Sequence, residues 1–248
     1  MLILRTVAIE FRSKRPSPAW RGTWDWVFFL SSLGIALLLG VAFGNIMRGV
    51  ELDASGNLQN NLISLLNPFS LLIGVTTIFM LAAHGAIYLS MKVSDDMLVR
   101  DKRWLPRLMI IFFVLNTLVV GATVFFHPSV SERYFQQPWL VIIPAAALLA
   151  LVIAWLMVRR ERYFVAFLFS SAMIAGLLFS AAVGLYPNLL TSTLNPAYNL
   201  TIFNSASEAN TLTVMLIIAL IGMPFVVLYT AGVYYFFRGR VQLGSQSY

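Results

Sequence analysis

The sequence predicts an all-α fold: a polytopic transmembrane helix bundle of six spans, with both visible ends on the cytoplasmic side. Two observations predict it. Six apolar runs fill the chain, each near the roughly 20 residues a helix needs to cross hydrocarbon. Fifteen of the 17 Lys and Arg residues lie on one side of those runs, and that side is cytoplasmic by the positive-inside rule.

The spans cover 24–46, 69–91, 108–126, 139–158, 163–186 and 212–237. Arg5, Arg12, Lys14, Arg15 and Arg21 precede the first. Lys92, Arg100, Lys102, Arg103 and Arg107 lie between the second and third. Arg159, Arg160 and Arg162 join the fourth to the fifth, and Arg238 and Arg240 follow the sixth. Arg48 and Arg133 alone fall on the outer side. The chain is then one integral membrane domain, with a cytoplasmic tail over 1–23, spans within 24–238 and a second cytoplasmic tail over 239–248.

The first span opens at a tryptophan cluster, Trp20, Trp24 and Trp26, rings that prefer the membrane boundary. Asn67-Pro68-Phe69 reads as an N-cap followed by proline at the first helical position of the second span. Pro144 and Pro224 lie inside the fourth and sixth spans and are expected to kink them. The short connection 159–162 makes the fourth and fifth spans antiparallel neighbours; the 126–139 hairpin carries the same argument more weakly. Residues 187–211 are rich in Asn, Ser and Thr and are expected to cover the outer face without forming a domain.

Hydrophobic residues make up 59% and charged residues 11%, a balance that leaves too little polar surface for a soluble domain. The net charge of +7 sits in short loops at helix ends, where it orients spans and meets anionic lipid headgroups, so nucleic acid is not a partner. With no cysteine, the chain has no thiolate metal site, disulfide or iron–sulfur cluster.

Ionisable groups within spans are the best pointers to function in a membrane protein. His84 sits mid-span among Ala82, Ala83, Gly85 and Ala86. A neutral imidazole there could ligate a haem iron, relay a proton or bond a neighbouring carbonyl; the last is the ordinary use. Asp25 lies between two tryptophans at the mouth of the first span. It is a candidate proton-path entrance, or a cap near Arg21 at the positive end of the helix dipole. Asn45, Asn67, Asn116 and the Ser170–Ser171 pair are uncharged groups of the kind that bond across helices. Paired carboxylates, a nucleophile with its base and a phosphate-binding glycine loop are all missing from the sequence. The stub Met1–Arg5 reads either as a short leader or as the end of a further span.

Several segments resemble one family. They are Glu10-Phe11-Arg12-Ser13-Lys14; Thr23-Trp24-Asp25-Trp26 leading to Gly40–Asn45; Leu65-Leu66-Asn67-Pro68-Phe69; His84-Gly85-Ala86-Ile87-Tyr88-Leu89; Tyr186-Pro187-Asn188-Leu189; Ser192–Leu194 with Thr211–Met215; and Leu228–Ala231. In this order and spacing they are similar to subunit II of the bacterial cytochrome bd-type quinol oxidases, from about residue 5 to 241. The family pattern carries further spans ahead of this point, and the stub then matches the end of one of them.

The resemblance implies oxidation of quinol by dioxygen in a bacterial plasma (inner) membrane, coupled to proton release outside and uptake from the cytoplasm. It implies haem b and haem d ligated chiefly by the partner, subunit I, with ubiquinone or menaquinone as the quinone and room for a small accessory membrane subunit. By motif, the family arginine linked to the haem d region falls on Arg5. The competing class is a transporter or channel subunit. It is disfavoured by the scarcity of mid-membrane charge and by the lack of matching broken spans.

Overall fold

The structure is a computed structural model that describes residues 1–93 and 95–237, with the backbone alone over 95–102. The expected C-terminal tail, with Arg238 and Arg240, lies outside the described residues, as do the side chains of Arg100 and Lys102.

Among the described residues, six helices are long and apolar enough to cross a membrane: Pro18–Arg48, Pro68–Lys92, Arg103–Phe126, Pro138–Arg159, Tyr163–Leu185 and Ala209–Phe236. In chain order the helices are α1 (Leu2–Arg12), α2 (Pro18–Arg48), α3 (Leu62–Leu65), α4 (Pro68–Lys92), α5 (Asp95–Phe126), α6 (Pro128–Gln136), α7 (Ile142–Arg159), α8 (Tyr163–Leu185) and α9 (Ala209–Phe236).

Helix ends overrun the apolar runs. α2 begins at Pro18, with Ser17 as N-cap, because its polar first turns stay helical beyond the hydrocarbon. α5 likewise starts well before the apolar stretch and carries Pro106 within it. Asn67 caps α4 as expected: its Oδ1 accepts from the Ser70 N–H at 3.0 Å, with proline at the first position. Pro224 is inside α9. Pro144, expected to kink the fourth span, falls in the first turn of α7, where an N–H has no intrahelical acceptor to lose.

α4, α5, α7 and α8 surround one apolar core, whose least exposed members include Ile87, Leu105, Phe112, Ala154 and Ala166. The α7–α8 pair is closely packed, joined through Glu161 in the left-handed region at φ 57°. The 126–139 connection departs from expectation. It forms α6, which packs on α8, while α5 and α7 meet only marginally.

α2 lies along α4, and α1 along α2. The α2–α4 approach is set by glycine: a Cβ on Gly40 would stand 2.6 Å from Gly74 Cα, and one on Gly44 would stand 2.6 Å from Ser70 Cα. Small residues are what let membrane helices approach this closely.

Residues 187–208 pack against the ends of α2 and α8 and the α2–α3 connection. They hold a two-stranded antiparallel hairpin, β1 (Asn188–Leu190) and β2 (Leu200–Thr201). This small sheet is an addition to the all-α expectation. It is pinned to the α2–α3 connection, where Val50 N donates to Thr191 O at 3.0 Å and Thr193 N to Val50 O at 2.9 Å.

α9 stands apart. No residue of it is buried. It meets α4 at its last turn: Lys92 Nζ donates to Phe237 O at 2.8 Å, and the Tyr88 and Tyr234 rings meet edge-on at 6.5 Å.

Candidate functional sites

The first site forms where α1 meets α2 at the basic end of the molecule. Ala8 is the buried anchor of α1. One turn on, Arg12 Nε donates to Asp25 Oδ1 at 2.6 Å. That bond corrects the reading of Asp25 as a cap: α2 starts seven residues earlier, and the carboxylate answers Arg12 rather than the helix end. The hydrogen bond that Arg12 donates to Asp25, then the charge of that carboxylate, holds the guanidinium above its ordinary range. Glu10 pairs with Lys14 at 2.7 Å, and this bond lowers its carboxyl below the usual value.

Glu10, Arg12 and Asp25 line a cavity of ≈ 390 Å³ together with Ala8, Trp24 and Phe28. The Trp24 indole N–H is buried without a partner among the described residues. Arg5 sits above Asp25 along the same helix pair, its guanidinium 5.3 Å from the centre of the Phe28 ring. The structure therefore brings Arg5 and Asp25 to one helix pair, a cation–π contact in one case and an ion pair in the other.

His84 lies elsewhere, between α4 and α8. Its Nδ1 is 2.8 Å from Ser170 Oγ, and its ring stacks on Phe167 with centroids 4.8 Å apart. Ser170 Oγ also donates to Phe167 O at 2.9 Å, so its lone pair is free to accept from the imidazole N–H. The expected cross-helix partner was a carbonyl; it is a hydroxyl. Of the other polar candidates, Asn45 and Asn67 do couple neighbouring segments. Asn45 Nδ2 donates to Leu65 O at 2.8 Å, and Asn67 Nδ2 donates to Asn45 Oδ1 at 3.0 Å. Ser171 Oγ donates back to its own helix, to Phe167 O.

The two histidines do not fit a bis-histidine haem. His127 rests against Phe69, ring centroids 4.3 Å apart. Phe69 and His84 are 15 residues apart on α4, about 22 Å along the axis. No single iron can take both as axial ligands. Among the described residues, no group of three His, Asp or Glu converges on a metal position.

Sequence reasoning passed over one feature. Arg48, Phe69, Leu72, Ala122, Phe126 and His127 line a groove of ≈ 370 Å³ at the end opposite the basic loops. Its one sequence signal was Arg48 as a cation on the sparsely charged side.

A family model described as cytochrome bd terminal oxidase subunit II matches residues 1–237. A Haemophilus influenzae protein named probable cytochrome oxidase subunit 2 is 33% identical, over 97% of this chain and 71% of its own length. Cytochrome bd-I ubiquinol oxidase subunit 2 of Escherichia coli K12 is 29% identical over the same shares. Cytochrome bd ubiquinol oxidase subunit 2 of Bacillus subtilis is 31% identical over 97% of this chain and 70% of its own.

Proposed function

Since the chain belongs to the cytochrome bd terminal oxidase subunit II family, we propose that it packs on a haem-carrying subunit I and supports quinol oxidation, oxygen reduction to water and generation of proton-motive force. Haem b and haem d would be ligated chiefly by that partner, and ubiquinone or menaquinone would supply the electrons. A small accessory membrane subunit fits the same assembly. The setting is the bacterial inner membrane, with the basic loops and both visible ends in the cytoplasm.

The observation that carries a scaffolding role is α9. It is a 28-residue helix with none of its residues buried, so its faces are available to lipid and to another chain. The rest of the chain offers support for positioning. We assign Arg5 to the haem d region, acting from its place over Phe28, and Asp25 to the mouth of a proton-uptake path beside Arg12. His84 we assign to the bond that holds α4 to α8. When bound by the partner, the haems supply the electron transfer; the residues named here orient helices and hold charge at the membrane boundary.

The test is a visible absorption spectrum. An assembly purified through a tag on this chain should show b- and d-type haem bands and oxidise quinol, while the chain alone should show neither. A haem-free assembly that moves a solute would instead make the chain part of a transporter.

A further inference from the structure

Three arginines are half-buried among the described residues: Arg12, Arg48 and Arg133. Two are answered. Arg12 has Asp25; Arg133 Nη1 donates to Tyr186 O at 2.9 Å and lies 4.5 Å from that ring. Among the described residues, the side chain of Arg48, the last residue of α2, makes neither an ion pair nor a hydrogen bond. A half-buried cation without a counter-charge is costly.

Its surroundings add positive potential. The N-terminus of α4 opens on the same groove at Pro68 and Phe69, presenting the positive end of a 25-residue helix. His127 faces the groove across Phe69. Burial first, and then the charge of Arg48, hold its imidazole below the ordinary value, as expected where no anion offsets the guanidinium. Of the remaining walls, Leu72, Ala122 and Phe126 are apolar, and the Asn67 amide is taken up by Asn45 Oδ1 and the Ser70 N–H. Phe126 closes its span and Arg48 closes another, so cation and groove lie together at headgroup depth, with the apolar wall running inward.

We propose that this groove binds a phospholipid of the adjoining leaflet, with its phosphate on Arg48 and one acyl chain along Phe69, Leu72 and Phe126. A guanidinium binds phosphate oxygens through two parallel N–H donors, and His127 offers a further donor at the rim. A quinone matches the apolar wall but leaves Arg48 without an anion. A partner helix would have to bring an acid to the same depth. The site does not depend on which haem subunit the chain assembles with.

The test uses the assembly as purified, stripped of lipid and returned to nanodiscs of an uncharged galactolipid. Two diazirine probes with the same acyl chain are compared: phosphatidylglycerol and diacylglycerol. Phosphatidylglycerol should label the peptides that hold Phe69–Leu72 and Ala122–His127, about tenfold more than diacylglycerol, as one charge-assisted contact implies. Arg48→Leu should bring phosphatidylglycerol down to the diacylglycerol level, and Arg48→Lys should keep most of the labelling. Equal labelling of the unaltered protein by both probes would overturn the proposal, and that comparison needs no variant to fold. Displacement of the phosphatidylglycerol label by a ubiquinone analogue at equal concentration would also overturn it, in favour of a quinone site.

Discussion

His84 Nδ1 and Ser170 Oγ meet at 2.8 Å and join α4 to α8 across 86 positions of sequence. Ser170 is buried, and its hydroxyl serves both the imidazole and the Phe167 carbonyl. A polar bond of this kind inside a membrane bundle stabilises by about 1 kcal/mol. Ser170→Ala should lower stability by about that amount, read from an SDS unfolding titration. His84→Gln, which keeps a donor, should cost less, and it should leave the haem spectrum of the assembled oxidase intact. Loss of a haem band in His84→Gln at normal protein level would make His84 a ligand rather than a tie between helices.

Backbone proximity between α2 and α4 gives a sharper contrast. Gly40→Ala places a methyl 2.6 Å from Gly74 Cα, a contact that neither backbone can relieve without moving the pair apart. The expected cost is about 2 kcal/mol, visible as a lower yield of monodisperse protein in size-exclusion chromatography. Gly85→Ala is the control. Nothing lies within 4 Å of its added carbon, and its yield should match that of the unaltered chain.

Arg5 is the residue through which the haem d assignment can be tested. In the assembled oxidase, Arg5→Leu should reduce haem d content while the subunits remain together, and Arg5→Lys should give a partial loss, because lysine lacks the planar group that stacks on Phe28. Phe28→Leu, which removes the ring under the guanidinium, should follow Arg5→Lys. Full haem d occupancy in the two Arg5 variants would leave Arg5 as a topology charge.

The absence of native cysteine makes sidedness directly measurable. Single cysteines close to the N-terminus, at Arg100 and at Arg160 should react with an impermeant maleimide only after the membrane is opened. Those at Asn57, Pro128 and Asn199 should react in intact cells. Reaction of Asn199→Cys only after lysis would invert the topology drawn from the distribution of basic residues.

The long elements were legible because hydrocarbon imposes one rule on all of them: about 20 apolar residues, satisfied internally. The Asn67 cap was legible for a local reason, the Asn–Pro pair. Helix ends were less so. Hydropathy marks where the lipid stops, and α2 and α5 continue past that line into polar turns. α6 was missed because nine residues of mixed polarity between two spans give no apolar period to read. The site contacts were legible as residue types but not as pairs. Nothing in the sequence couples Arg12 to Asp25, or His84 to Ser170, since both depend on how one helix lies on the next. Arg48 was counted as a charge; its want of a partner appears only when α4 and α5 close around it.

α9 has one more consequence, and it concerns time. The body built from α4, α5, α7 and α8 is complete in sequence at Leu185, and chains fold from the N-terminal side as they are made. The body can close while Ala209–Phe236 is still emerging from the ribosome. Ala209–Phe236 then enters the bilayer after that body has closed, with most of its surface uncommitted.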